Sequence, residues 1–249
     1  MGATITVMSQ KGGTGKTTTV RTLADVLRRR GMDVLCVDLD PQGNLSEYFD
    51  VPGDATPTIA EVLAGEAHAV DALHDGVVPA NLHLAEVELM LGGKMGRELT
   101  LKRALRDLRD SHDLILVDCP PSLGLLTVNA LVAADHALIS SAAEHFSFQG
   151  VEQALVVLDA ARDSLNPDLE WAGVVLNIAD MRLVHARETL EQLQQRYPDK
   201  VFETVIRRSV RYAESAERGS SILDYAPDLG ADYVALADEL LARLGMDPG

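Results

Sequence analysis

A glycine-rich turn between an apolar run and a helical pattern constrains this chain most. The run Ile5 to Met8 leads into Ser9-Gln10-Lys11-Gly12-Gly13-Thr14-Gly15-Lys16-Thr17-Thr18-Thr19, after which Val20, Leu23, Ala24 and Leu27 recur on one helical face. Strand, glycine turn, helix is a layout that cradles a polyphosphate. Glycines let backbone N–H groups approach phosphate oxygens with no Cβ in the way, and the helix start adds unpaired donors and a positive dipole end. In such a cradle, formed by Gly12, Gly13, Thr14, Gly15 and Thr18, Lys16 meets the β- and γ-phosphates and the Thr17 hydroxyl ligates Mg²⁺. The strict motif asks for glycine where Gln10 stands, so its strict form is not met. The plain alternative, a solvated surface turn with two lysines, explains neither the strand before nor the helix after.

Two further blocks carry acids at strand ends. Val34-Leu35-Cys36-Val37 is a continuous apolar run, as expected of a strand covered on both faces, and it opens into Asp38-Leu39-Asp40-Pro41-Gln42-Gly43-Asn44. Ligands of open α/β sheets bind at the carboxyl ends of strands, so these acids are well placed beside a nucleotide. Either alone could be a helix N-cap. Leu114-Ile115-Leu116-Val117-Asp118 has the Walker B shape, a buried strand bringing a carboxylate to the Mg²⁺ shell, and the prolines of Cys119-Pro120-Pro121-Ser122 stiffen the loop after it.

Together, Lys11 to Thr18 in the form Lys-Gly-Gly-x-Gly-Lys-Thr-Thr, Asp38 to Asn44 and Asp118 to Ser122 resemble the deviant-Walker ATPases that position DNA and cell-division machinery. That group includes ParA/Soj, MinD and the nitrogenase iron protein, and the likeness to ParA/Soj covers nearly the whole chain. It implies an α/β fold: one P-loop NTPase domain over residues 1–249, a mostly parallel twisted sheet with helices on both faces. It implies ATP and Mg²⁺ as cofactors. Lys11 then reaches across a dimer interface to the partner's nucleotide, Asp40 orients the attacking water, Asp38 supports the metal-side network, and the loop from Cys119 to Ser122 senses the γ-phosphate. Lys11, Lys16 and Asp40 would be the catalytic set and Thr17, Asp38 and Asp118 the metal set. Asn177, ending an apolar strand from Gly173, would hydrogen-bond adenine; without the family, an Asn closing a strand is an equal reading. The run Arg207 to Ala216 also resembles ParA/Soj, with Arg207 where the family usually has proline, so Arg207 either stacks on the base or the base contact differs.

The remaining pattern predicts strands at 3–8, 136–140 and 201–206, helices at 17–30, 98–109, 148–161, 185–196 and 232–244, short helices at 58–64 and 69–74, and a short strand at 81–85. His145 reads as a loop histidine with no special role. Arg28, Arg29 and Arg30 read as last-turn cations before Gly31 rather than a nucleic-acid patch. The closing helix is acidic on its polar side, unlike a basic membrane anchor, and reads as core packing.

With a formal net charge of −16, the surface on average repels nucleic acid and anionic membrane, so DNA binding needs a local basic patch. Arg182, Arg207, Arg208, Arg211 and Arg218 are the candidates; the plain alternative pairs them with Glu214 and Glu217. Cys36 and Cys119 fit no disulfide framework or metal spacing and read as buried thiols. With neither a secretion signal at the start nor a run of transmembrane length, the expectation is a cytoplasmic, nucleoid-associated protein. The resemblance to ParA/Soj then predicts an ATP-gated homodimer that binds DNA without sequence preference and hydrolyses ATP when a ParB-type centromere-binding partner stimulates it. A MinD-like membrane ATPase, a dethiobiotin-synthetase-like ligase, an iron–sulfur carrier and a positioning ATPase for another cargo are the competing readings.

Overall fold

Along each strand, alternate side chains leave for opposite faces of one sheet, and both faces are covered. The computed structural model describes residues 2–144 and 147–246, so the reading of His145 lies outside the described residues. In chain order the elements are β1 (Ala3–Met8), α1 (Lys16–Arg29), β2 (Val34–Asp38), α2 (Asn44–Tyr48), α3 (Ile59–Ala64), β3 (Val77–Val78) and α4 (His83–Leu91). A 3₁₀ turn at Arg97–Leu99 precedes α5 (Thr100–Ala104), α6 (Arg106–Ser111), β4 (Leu114–Asp118), α7 (Leu125–Ala133), β5 (His136–Ala142) and α8 (Ser147–Ser164). The chain closes with β6 (Glu170–Ala179), α9 (Val184–Arg196), β7 (Val201–Arg207), α10 (Arg211–Glu217), α11 (Ile222–Tyr225) and α12 (Pro227–Arg243).

The seven strands lie in the order β3-β2-β4-β1-β5-β6-β7, and every pairing is parallel. Ile5, Val7, Val34, Cys36, Leu114, Leu116 and Val175 pack under α1 and α12, against Val20, Leu23, Tyr233 and Leu236. Met8, Leu35, Val37, Ile115, Val117 and Leu176 face the other side, where α3, α4, α5, α7 and α8 supply Ile59, Leu84, Leu101, Ala130 and Val151. Each such Leu, Ile or Val removed from water contributes roughly 1.5–3 kcal/mol, so the two layers fix the sheet's register. Within it, Asp38 pairs with Asp118 and Val7 with Asp118, which brings the loops after β1, β2 and β4 to one edge. From β1 the chain crosses toward β2, while from β4 it crosses to β5 on the far side of β1. The glycine loop therefore sits at the sheet's topological switch point.

Three expectations fail locally. Residues 69–74 form turns, with Asp71 N–H bonded to the His68 carbonyl and Ala72 N–H to that of Ala69, because the segment is pulled into the His74–Val77 bridge before a helix can propagate. Residues 81–85 are not a strand: the third strand is Val77–Val78, and the Asn81 side chain accepts from His83 N–H to start α4. Residues 98–109 are divided between the 3₁₀ turn, α5 and α6, although Leu101, Leu105 and Leu108 are all buried as their spacing predicts. The closing helix begins at Pro227, ahead of Asp232, because proline suits a first helical position.

The side chains of the arginine triplet at the end of α1 bond to other segments rather than to the last carbonyls of their own helix. Arg28 donates to the Val34 and Gly76 carbonyls, Arg29 pairs with Asp224 and Arg30 with Asp238. Both cysteines are buried, and burial pushes the Cys36 thiol up to about 12.

Candidate nucleotide site

Ser9, the first residue past β1, organises the loop. Its hydroxyl accepts from Lys16 Nζ at 3.0 Å and Thr14 Oγ1 at 2.9 Å and donates to the Lys11 carbonyl at 2.8 Å. From below, Ser140 of β5 donates to the Thr14 carbonyl at 2.7 Å. Gly15 then caps α1 with φ 84°, a left-handed conformation in which a Cβ would stand 3.3 Å from the Asn177 amide nitrogen. Thus Lys16 is held inside at 6% exposure, while Lys11 lies exposed on the outer rim of the same loop. Burial lowers the Lys16 pKa, with Asp118 and Asp40 acting the other way.

The three acids are not equivalent. Asp118 accepts from the Thr17 hydroxyl at 2.6 Å, and its other oxygen, Oδ1, is buried without a protein partner. Burial and the neighbouring Asp38 raise its pKa well above the carboxylate range. Asp38 has both oxygens in use. Oδ1 accepts from Asp40 N–H at 3.0 Å; Oδ2 accepts from Ser46 N–H at 3.0 Å and the Ser46 hydroxyl at 2.8 Å. Burial moves it up to about 6 against those bonds. Ser46 also receives Ala80 N–H at 2.9 Å, so Asp38 anchors the turn that carries Asp40. Asp40 accepts from Gln42 N–H at 3.0 Å and lines the cleft over the loop, together with Gly12 to Thr18. Thr17 lines it too, whereas Asp38 and Asp118 stand behind it. Of the expected metal set, Thr17 is the residue at the cleft, Asp118 reaches it through Thr17, and Asp38 is occupied by backbone N–H groups and the Ser46 hydroxyl.

Among the described residues no cluster of three His, Cys, Asp or Glu is placed to hold a metal. The cleft of about 590 Å³ over the loop adjoins a cavity of about 380 Å³ between β6 and α10, which has Asn177, Ile178, Ile206, Tyr212 and Tyr233 on its walls. Asn177 spends its amide nitrogen on Ser140 Oγ at 2.6 Å and Thr19 Oγ1 at 3.1 Å, which leaves Oδ1 buried and unpartnered. Ile178 follows at φ 55°, a left-handed conformation that costs a β-branched residue about 1–3 kcal/mol.

The basic residues behave differently. Arg207 lines the adjoining cavity, with its guanidinium held by Asp232 at 2.8 Å and by the Asp228 carbonyl. Arg182 pairs with Asp180 at 2.7 Å and Arg211 with Asp228 at 3.4 Å; Arg211 and Arg218 flank the Tyr225 ring, and Arg208 is exposed beside β7. The acid partners of Arg182, Arg207 and Arg211 are aspartates rather than the Glu214 and Glu217 of the plain alternative; Glu214 takes the Tyr225 hydroxyl instead. Sequence reasoning missed Ser9, Ser46, Ser140 and Arg21. Only Ser9, directly between a strand and its glycine turn, carried a positional signal.

A family model described as an AAA domain matches residues 2–171. The sporulation initiation inhibitor protein Soj of Bacillus subtilis is 38% identical, covering 98% of this chain and 100% of that protein. The chromosome partitioning protein ParA of Myxococcus xanthus is 38% identical over 98% of this chain and 89% of its own length. A solved structure from Mycobacterium smegmatis, titled cobyrinic acid a,c-diamide synthase with bound ATP analog and magnesium, is 37% identical with a TM-score of 0.80, covering 87% of this chain and 93% of that one. With matches of this identity over nearly the whole chain, the chain belongs to the Soj/ParA family of chromosome-partitioning ATPases.

Proposed function

We propose that this protein is a partition ATPase that binds ATP with Mg²⁺, closes into a two-nucleotide homodimer, binds DNA without sequence preference in that state, and hydrolyses ATP slowly until a ParB-type partner stimulates it. The observation that carries the reading is the division of labour on one loop, with Lys16 buried beneath it and Lys11 exposed on its rim. A lysine inside serves its own nucleotide; a lysine on the exposed rim stands where another subunit's nucleotide would approach.

ATP and Mg²⁺ fit the residues present. The glycine loop's N–H groups and Lys16 would hold the phosphates, Thr17 would ligate the metal, and the free oxygen of Asp118 would accept from a metal-bound water. Asn177 Oδ1 is the acceptor an adenine amino group needs. The nucleotide supplies the transferable phosphoryl group and the metal neutralises its charge. Asp40, held by Gln42 N–H and by the anchored Asp38, orients the attacking water, because phosphoryl transfer depends mainly on positioning and charge stabilisation. The loop around Pro121 reaches the same cleft, in keeping with a γ-phosphate sensor. Arg182, Arg208, Arg211 and Arg218 form the DNA face once phosphates replace the aspartate partners of Arg182 and Arg211, so binding weakens steeply with salt. On this reading the protein works in the cytoplasm on the nucleoid.

The MinD-like alternative needs a free amphipathic helix, but the apolar side of α12 is spent on the core through Leu229, Tyr233, Leu236, Leu240 and Leu241. Among the described residues no helix is long and apolar enough to cross a membrane. An amide-forming synthase that splits glutamine, or an iron–sulfur carrier, would call on a reactive cysteine, and Cys36 and Cys119 are both buried with raised thiol pKa values.

The test is Asp40→Ala with ATP and Mg²⁺ under light scattering. The variant should bind ATP, lose at least ~100-fold in turnover and accumulate as a dimer. Adding Lys11→Ala should return it to a monomer with nucleotide still bound. A monomeric Asp40→Ala protein saturated with ATP defeats the sandwich reading.

A further inference from the structure

Arg21 stands in the wall between the two parts of the nucleotide site. The cleft over the glycine loop and the cavity beside Asn177 share Gly13, Gly15, Thr18, Arg21 and Ala216, and Arg21 is the charged member of that set. Its side chain is buried, at 4% exposure. Nη2 donates to the Tyr212 carbonyl at 2.9 Å and the Ser215 hydroxyl at 3.1 Å, and the guanidinium lies 4.3 Å from the centre of the Tyr48 ring. Every one of these partners is neutral.

Among the described residues no carboxylate forms an ion pair with Arg21, and its Nε and Nη1 have no protein acceptor. Asp40, Glu47, Asp50 and Glu217 line the same cleft without reaching it. Asp25, one turn along α1, accepts from the Tyr48 hydroxyl at 2.8 Å instead. Burial lowers the Arg21 pKa and outweighs the opposing influence of Asp25 and the neighbouring tyrosines. A buried, unpaired guanidinium is costly unless something anionic completes it. Its fork geometry suits a phosphate, and the stack on Tyr48 fixes which way it points.

We propose that Arg21 is a nucleotide contact, a third cation of the site, whose counter-ion is the α-phosphate at the ribose end of the bound nucleotide. The position along α1 sets which phosphate. Lys16 and Thr17 stand at the β/γ end, and Thr18 and Arg21, one turn apart, lead toward the cavity for the base. This inference rests on the nucleotide reading above and adds a residue to it.

The experiment compares equilibrium binding of ADP, AMP and adenosine to the wild type, Arg21→Gln and Arg21→Lys by calorimetry or competition against a fluorescent nucleotide. Arg21→Gln should weaken ADP and AMP about tenfold or more and leave adenosine unchanged; Arg21→Lys should recover part of the loss. If Arg21→Gln folds poorly, Arg21→Met, which buries an apolar stem in place of the cation, is expected to show the same split. Equal weakening of adenosine and AMP would make Arg21 a structural wall only and overturn the proposal, as would unchanged AMP affinity. If wild-type protein fails to bind ADP at all, the nucleotide reading falls instead.

Discussion

The two ends of the nucleotide site solve the problem of holding charge in opposite ways. At the phosphate end, Lys16, Asp38, Asp40 and Asp118 are all buried at 8% exposure or less, and each is held through at least one oxygen or nitrogen by Ser9, Thr17, Ser46 or a backbone N–H. At the base and α10 end, Arg182, Arg207 and Arg211 are solvent-exposed and held by aspartates of the same surface. Buried charges must be placed before the ligand arrives, since rearranging them in a low-dielectric site is expensive; exposed pairs exchange partners at little cost. On the function proposed above, the first end suits chemistry and the second reversible capture of a polyanion.

Three substitutions would sharpen or break that contrast. The largest effect belongs to Lys16→Ala, expected to abolish measurable ATP binding in a titration that detects at least a ~100-fold loss; retained affinity would remove the phosphate end from the account. Next is Ser46→Ala, which strips one hydroxyl from Asp38 and leaves Ala80 N–H unpaired. It should lower the urea-derived stability by about 1–3 kcal/mol and slow turnover by loosening the Asp40 turn. A neutral result would mean Asp38 does not depend on its anchor. The smallest stability effect is expected for Arg211→Glu, under about 0.5 kcal/mol by thermal melt, because an exposed pair contributes little. The same variant should nonetheless weaken DNA retention in a gel shift and flatten its salt dependence while basal ATPase stays at wild-type level. Unaltered DNA retention would move the basic face elsewhere.

The Arg207 position shows where resemblance to relatives stops being a guide. Its departure from the family's proline raises the question of a stacked guanidinium, and the structure adds a partner, Asp232 of α12, that no local pattern links to it. Helix 232–244 shows the converse: its apolar spacing was legible, and only its start was misplaced, since Pro227 was not taken as a first-turn residue. Segments 69–74 and 81–85 were misread for one reason. Each is short, so capping by Asn81 and the His74–Val77 bridge outweigh a few residues of propensity.

The chain's own order of residues determined the glycine cradle, the buried parallel strands and the acids at their ends, because backbone approach to phosphate and burial on both sheet faces demand those residue types at those spacings. Only the tertiary structure decided how the acids divide their work. Asp38 and Asp118 become neighbours through strand register, Ser46 and Ser140 arrive from distant segments, and Arg21 gains its place by packing between α2 and α10. Such roles are set by which oxygen lies within about 3 Å of which donor, a property of contacts far apart in the chain that no local periodicity records.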